Sequence, residues 1–200
     1  MKIICSLLLA AVSFAPSASG AKTELQSLLE ANRLFSADFE LQVVDETKEV
    51  VHESEGQFTV KQPNHFYWVD NDSIIVADGT DLWFMDTLAE QVTVYSLEEQ
   101  QSQSPLSLLT DSNSKLWQKY DVSKVKGEFL LMPKAQSDTR IKKFSLTFNQ
   151  QRVLVGFWFE DDQQQKSTYM LSNVKQLKSV KESLFKLEVP KNMVIDDQRR

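Results

Sequence analysis

The chain has 200 residues, 42% hydrophobic and 25% charged, with a formal net charge of −6 and an isoelectric point near 5.0. That is enough chain for one domain to bury a sizeable core without staples. The acidic balance argues against a nucleic-acid binder and against attachment to anionic lipid by bulk charge.

In chain order, the first element is a processing signal. Met1-Lys2 forms a short positive region, Ile3 to Val12 an apolar stretch of 10 residues, and PSASGA a run of small residues. The stretch is too short to cross a membrane, which takes about 20 apolar residues, and its flanks are those of a leader peptide. Cleavage is expected after Gly20, with Ala18 at the −3 position, or after Ala21. Residues 1–20 are thus read as a signal peptide and 21–200 as a single domain, exported to the periplasm. The one cysteine, Cys5, lies inside the leader. It precedes most of the apolar stretch and lacks the Leu-x-small context of a lipid-modified cysteine. The mature protein is therefore expected to have no disulfide, thiol nucleophile or cysteine-ligated metal.

Thr23 to Leu34 reads as an amphipathic helix, with Thr23 and Gln26 at capping-box spacing and Leu25, Leu28 and Leu29 in one stripe. The period then changes to two. In FSADFELQV, Phe35, Ala37, Phe39, Leu41 and Val43 alternate with polar residues, giving a strand with one dry face. Further strands are expected over 50–61, 65–70, 73–77, 81–85 and 91–97, with Asp78-Gly79 as a hairpin turn. SPLSLLTDS breaks the pattern: Ser104 suits an N-cap, Pro105 the first helical position, and Leu106 and Leu109 a short apolar face. Strands resume over 117–125, 128–132, 141–148, 153–160 and 167–174. A last one over 183–189 precedes the polar tail DDQRR. Many sequential strands with two or three helices describe a mainly β fold, one bent antiparallel sheet. Five glycines are few for a tight closed barrel. An open half barrel with its dry face covered by the helices fits better.

The residues do not point to catalysis. His52 and His65 have no partners at metal-ligand spacing, and no nucleophile elbow, phosphate loop or dinucleotide fingerprint occurs. The acidic pairs Glu98-Glu99, Asp161-Asp162 and Asp196-Asp197 fall in turns or the tail, where solvated charge explains them. No cofactor or metal is expected. Three segments, HFYWV (65–69), LWFM (82–85) and VGFWF (155–159), set bulky groups at consecutive positions. Either these are central strands buried on both sides, or one face packs while the other lines a cavity. With no converging charges, such a cavity would attract only apolar matter. At about 0.8 kcal/mol per buried methylene, an acyl chain would gain on the order of 10 kcal/mol.

The stretches FSADFELQ, KQPNHFYW, DSIIVADGTDLWFMD followed by EQVTVYSL, SPLSLLTDS before LWQKY, LMPKA and DDQRR together resemble the LolA family of periplasmic lipoprotein carriers. The resemblance implies an open antiparallel half barrel lidded by helices, with the acyl chains of a lipoprotein held between sheet and lid. It places Phe66, Trp68 and Ile75 on the lipid-facing wall or mouth. Leu25 and Leu29, with Leu106 and Leu109, fall on the lid. Phe35 and Phe39 on the dry face of the first strand, and Trp83 in LWFM, complete the expected lining. It further implies loading by an ATP-driven inner-membrane complex, with Phe66 in contact with it, and delivery by a monomer to an outer-membrane receptor lipoprotein. One position departs from the pattern. Where the family commonly has an Arg that latches the lid backbone, this chain has Gln62. An uncharged amide offers two donors against guanidinium's five, so a weaker or differently made latch is expected. Four alternatives stand beside this reading: the receptor itself, for which a cysteine at the mature N-terminus is lacking; another periplasmic binder of hydrophobic ligands on the same fold; a secreted hydrolase; and a solid-core interaction domain.

Overall fold

A computed structural model describes residues 18–101, 106–135, 137 and 139–199. Helix α1 spans Ala18–Ala31, and strands β1 to β6 follow at Leu34–Val44, Val50–Lys61, His65–Asp70, Ser73–Asp78, Asp81–Asp86 and Gln91–Ser96. Two short helices, α2 (Leu97–Gln101) and α3 (Leu106–Thr110), and a 3-10 turn at Lys115–Lys119 lead to β7 (Tyr120–Val125) and β8 (Glu128–Pro133). The chain finishes with β9 (Ile141–Phe148), β10 (Leu154–Asp161), β11 (Lys166–Gln176), a 3-10 turn at Glu182–Phe185 and β12 (Val194–Asp197). All strands share one sheet in the order β12-β6-β5-β4-β3-β2-β1-β11-β10-β9-β8-β7, open at both ends. The pairings are antiparallel except that of β12 with β6.

The sheet curls strongly. Adjacent strands lie about 4.8 Å apart, so strands three steps apart in a flat sheet would be about 14 Å apart. Yet Trp68 on β3 and Tyr169 on β11, three steps apart in the strand order, have ring centroids 5.5 Å apart. Phe58 on β2 and Phe157 on β10, also three steps apart, approach to 6.5 Å. Large rings on the inner face meet because the strands bend around them. Gly56 on β2 contributes: a Cβ there would lie 2.1 Å from the Val69 carbonyl oxygen and 2.8 Å from the Phe39 ring.

The hairpins turn on carboxylates and amides. Asp45, Asp70, Asp78, Asp86, Asn149 and Asp161 each accept backbone N–H bonds from residues two to four positions ahead, at 2.8–3.1 Å. These side chains close the turn locally, which lets Lys48, Glu90, Arg152 and Gln164 take positive φ in a chain poor in glycine. Asp161, half of an acidic pair, is such a turn closer.

Several boundaries differ from expectation. α1 starts upstream of Thr23 and stops at Ala31, because Asn32 ends it: its N–H reaches Leu28 O and Leu29 O, and its side-chain amide donates to Leu28 O at 2.7 Å. Leu34 therefore opens β1. Trp117 lies in a 3-10 turn, its indole donating to Asp111 O at 3.0 Å, and β7 begins at Tyr120. Ser104 and Pro105 lie outside the described residues. The expected strand over 183–189 is instead a 3-10 turn and an extended strap, while part of the supposed tail forms β12.

Two separate cores explain rings on both faces. The inner face packs against α1 and α3 through Phe35, Phe39, Phe58, Trp68, Phe157 and the lid leucines. On the outer face, Met85, Val92 and Val94 are buried under Leu187, Val189 and Met193 of the strap.

Two tests follow from this architecture. Gly56→Ala should lower stability by about 1–3 kcal/mol in urea unfolding, since β2, β3 and the Phe39 ring must all shift. The carboxyls of Asp70 and Asp78 sit below the usual aspartate range; partial burial alone would raise them, but the hydrogen bonds they accept together outweigh it. Carboxylates depressed in the fold stabilise it above the unfolded value, about 3.9, and lose that contribution as pH falls through the folded value. The urea midpoint should therefore drop below about pH 4, and Asp70→Asn should flatten that drop.

Candidate functional site

The inner wall is a continuous aromatic surface. Trp68 lies against Phe39 at 3.9 Å and stacks with Phe58 at 5.8 Å, with Phe66 at 5.9 Å. Tyr169 stacks on Phe157 at 4.4 Å and closes the far side. Burial, with Asp70 nearby, pushes the Tyr169 hydroxyl well above its usual range, so it stays neutral. Asp70 also accepts the Trp68 indole N–H at 3.3 Å and so fixes that ring from the turn.

Opposite this wall sits the lid. Leu25, Leu28 and Leu29 of α1 and Leu108 and Leu109 of α3 are buried against the rings, while Leu106 is half-buried. Trp68 and Leu109 are themselves packed into this core, 4% and 2% exposed. A mostly apolar cleft of about 110 Å³ is lined by Phe66, Ile75, Leu82, Leu97, Leu106 and Thr110. Larger hollows outside, of about 470 and 500 Å³, are lined by groups such as Asp38, Glu40 and Glu55, or Asp78, Asp81 and Glu182. Such walls suit water, not hydrocarbon.

Gln62 is the point at which sheet and lid are fastened. Buried in the turn between β2 and β3, its side-chain amide donates to Leu109 O of α3 at 2.8 Å and to Leu29 O of α1 at 3.3 Å. Both acceptors lie in the last turns of their helices, where carbonyls run short of intrahelical partners; Leu29 O also accepts the Asn32 N–H at 3.1 Å. The backbone adds two bonds, from Gln62 N–H to Arg33 O and from Asn64 N–H to Thr110 O, each 2.8 Å. The Gln62-Pro63 peptide is cis. α1 is held at further points. Lys22 Nζ donates to Trp117 O at 2.5 Å, Gln26 to Ser112 O at 2.9 Å, and Gln176 to the Asn32 side-chain oxygen at 2.6 Å. Burial, then Lys134, lowers the Lys22 ammonium pKa despite Asp121.

Of the expected lining, the structure brings together Leu25, Leu29, Phe35, Phe39, Phe66, Trp68, Ile75, Leu106 and Leu109. Trp83 is the correction. The inner-face register runs Trp68–Ile75–Phe84, so Trp83, one residue along, faces outward. It packs in the second core, donates to Asp78 at 3.0 Å, and has the Arg199 guanidinium 6.0 Å from its ring centre. Tyr67 and Leu184 of the strap line one outer hollow, and Trp158 lies under Lys166 Nζ at 4.3 Å. Phe58, Phe144, Phe157 and Tyr169 belong to the wall and were missed as site residues. Phe58 and Tyr169 sit singly in alternating strands, where only the period marks them. Among the described residues, no three His, Cys, Asp or Glu side chains converge to hold a cation, and no helix is long and apolar enough to cross a membrane.

Residues 31–188 match the family model described as outer membrane lipoprotein carrier protein LolA. The outer-membrane lipoprotein carrier protein of Vibrio parahaemolyticus is 35% identical, covering 97% of this chain and 95% of the relative. That of Shewanella sp. strain ANA-3 is 34% identical, covering 99% and 97%. A crystal structure of an uncharacterized conserved protein from Thermus thermophilus shares the fold at 13% identity, with a TM-score of 0.52 over 89% of this chain and 98% of that one.

The latch geometry has a measurable consequence. Gln62→Ala should accelerate hydrogen exchange at the Asn32 and Asn64 amides by about fivefold or more, because a neutral bond contributes about 0.5–1.5 kcal/mol and two are lost. Gln62→Arg should slow it. Unchanged exchange in both variants would remove Gln62 from the lid's attachment.

Proposed function

This chain belongs to the LolA family of outer-membrane lipoprotein carrier proteins, and we propose that it performs their task by enclosing lipoprotein acyl chains between the aromatic wall and the helical lid. The observation that carries this reading is an apolar wall whose covering is fastened to it by an uncharged amide across two helix ends. No side chain on that wall performs chemistry in this mechanism. Its rings present area, and area removed from water is the driving force.

The closed conformation would be the empty carrier. Lid leucines and acyl chains compete for the same rings, so cargo must replace what the lid gives up. Five buried leucines are worth about 7–15 kcal/mol against water at 1.5–3 kcal/mol each. Much of this is not lost outright, since a raised lid can repack on the cargo. The net affinity is then a difference between two similar terms, and it stays moderate even though the gross contact is large. Moderate affinity is what a shuttle needs: a receptor that binds the same chains without a competing lid would draw them off without an energy source.

In this mechanism the leader directs the chain to the periplasm, where it works as a monomer. An ATP-driven inner-membrane complex supplies the cargo and an outer-membrane receptor lipoprotein accepts it. The mouth, with Phe66, Ile75 and Leu106 around the mostly apolar cleft, is where the first carbons would enter and where a loading partner would touch. Gln62 sets how readily the lid rises.

The test uses a lipid-modified client dialysed out of detergent with the purified protein. The carrier should keep the client soluble in a defined complex and lose a bound bis-ANS dye in step. Leu106→Glu, at a half-buried rim position, should preserve the fold but abolish solubilisation; Leu29 is too deeply buried for the same substitution to be informative. Precipitation of the client beside the wild-type protein would overturn the reading. Uptake of free fatty acid without uptake of the client would favour a general binder of hydrophobic ligands on this fold.

A further inference from the structure

The turn that carries Gln62 has a second set of contacts, on the side away from the lid. Its residues alternate in what they touch. Gln62 and Asn64 reach inward, to Leu29 O, Leu109 O and Thr110 O. Lys61 and His65 reach outward, to the strap that follows β11. Lys61 pairs with Glu182 and lies with its ammonium 5.8 Å from the Phe185 ring centre. His65 meets the same ring edge-on at 5.3 Å, and its Nδ1 is 2.7 Å from Pro63 O within the turn. Gly79 leaves room for this imidazole: a Cβ there would come within 3.1 Å of the His65 ring. Phe185 itself is 2% exposed, a buried ring outside the main core.

The strap is pinned on both sides of this ring. Upstream, Leu177 N–H bonds to Leu34 O at 3.0 Å. Downstream, Leu187, Val189 and Met193 enter the second core, and β12 pairs with β6 from Val194↔Gln91 to Asp197↔Val94. Arg199 closes the end on Asp81 at 2.7 Å. The 3-10 turn Glu182–Phe185 is thus held as a fixed wedge behind residues 61–65.

We propose that Phe185, with Glu182, is a positioning residue for the lid latch: the strap holds the turn at the depth that puts the Gln62 amide within reach of both helix ends. The inference rests on the reading of Gln62 as the latch and extends it. A wedge on one face and two helix carbonyls on the other leave the turn no free direction. Loosening the wedge would let the turn relax outward, lengthen the bond to Leu29 O, already 3.3 Å, and weaken lid closure from the opposite face of the sheet. Strap and lid would then be two ends of one mechanical connection through five residues.

The experiment compares Phe185→Leu, Glu182→Gln, Gln62→Ala and the double variant Gln62→Ala/Phe185→Leu by residue-resolved hydrogen exchange on the full mature chain. Phe185→Leu should speed exchange at the Asn64 amide and at Asn32, the end of α1, at least fivefold, with β8–β10 amides unchanged. Glu182→Gln, at an exposed residue that leaves the fold intact, should do the same more weakly, and Phe185→Tyr should restore the wild-type rates. The double variant should exchange at Asn32 no faster than Gln62→Ala alone, since both act through one latch. If Phe185→Leu accelerates only the strap and β4–β6 while Gln62→Ala still frees α1, the positioning role is wrong and the latch stands. Additive effects in the double variant would also overturn it. No response of Asn32 to Gln62→Ala would bring down the latch, and this inference with it.

Discussion

Everything in this molecule follows from one surface that cannot be left wet. The curled sheet gathers Phe39, Phe58, Phe66, Trp68, Phe157 and Tyr169 on its inner side, a larger apolar patch than a soluble protein keeps exposed. Something must lie over it at all times. In the closed form that is α1 and α3, and their leucines are there because the rings need a cover.

The fastening between helices and sheet is neutral. Gln62 bonds two helix-end carbonyls, that of Leu109 and that of Leu29, which also accepts the Asn32 N–H, and it brings no charge that needs its own compensation. A guanidinium at that place would bind the carbonyls more strongly and hold the helices more firmly. With Gln62 in that place, the buried leucines of α1 and α3 supply the apolar contact that holds the helices to the wall.

The strands and the dry face of β1 could be read from period-two alternation, because that signal is local and side chains on a pleat have no third option. The aromatic runs signalled two apolar faces but not which ring goes to which. Trp83 went to the wrong side because its outer partners, Leu187, Val189 and Met193, lie about a hundred positions away and leave no trace in the sequence around it. Phe58 and Tyr169 were missed for the opposite reason: each is a single ring in an ordinary alternating strand, and only curvature brings them to the wall. Curvature is a property of the whole sheet and leaves no local trace. The strap read as strand from 183 to 189 because Leu, Phe and Val spacing there mimics one, although the chain turns there in a 3-10 turn and packs on the outer core through Leu187 and Val189.

β12 has a further consequence. Four residues long and ending in Asp196 and Asp197, it lies parallel along β6 and occupies the amides and carbonyls that would otherwise face outward from Gln91 to Val94. A long bare margin on a twelve-strand sheet would invite a second copy to align against it. The chain hems that margin with its own last residues, short and negatively charged, and stitches the hem down with Arg199. β12 thereby takes the place on β6 that a neighbouring copy could otherwise occupy.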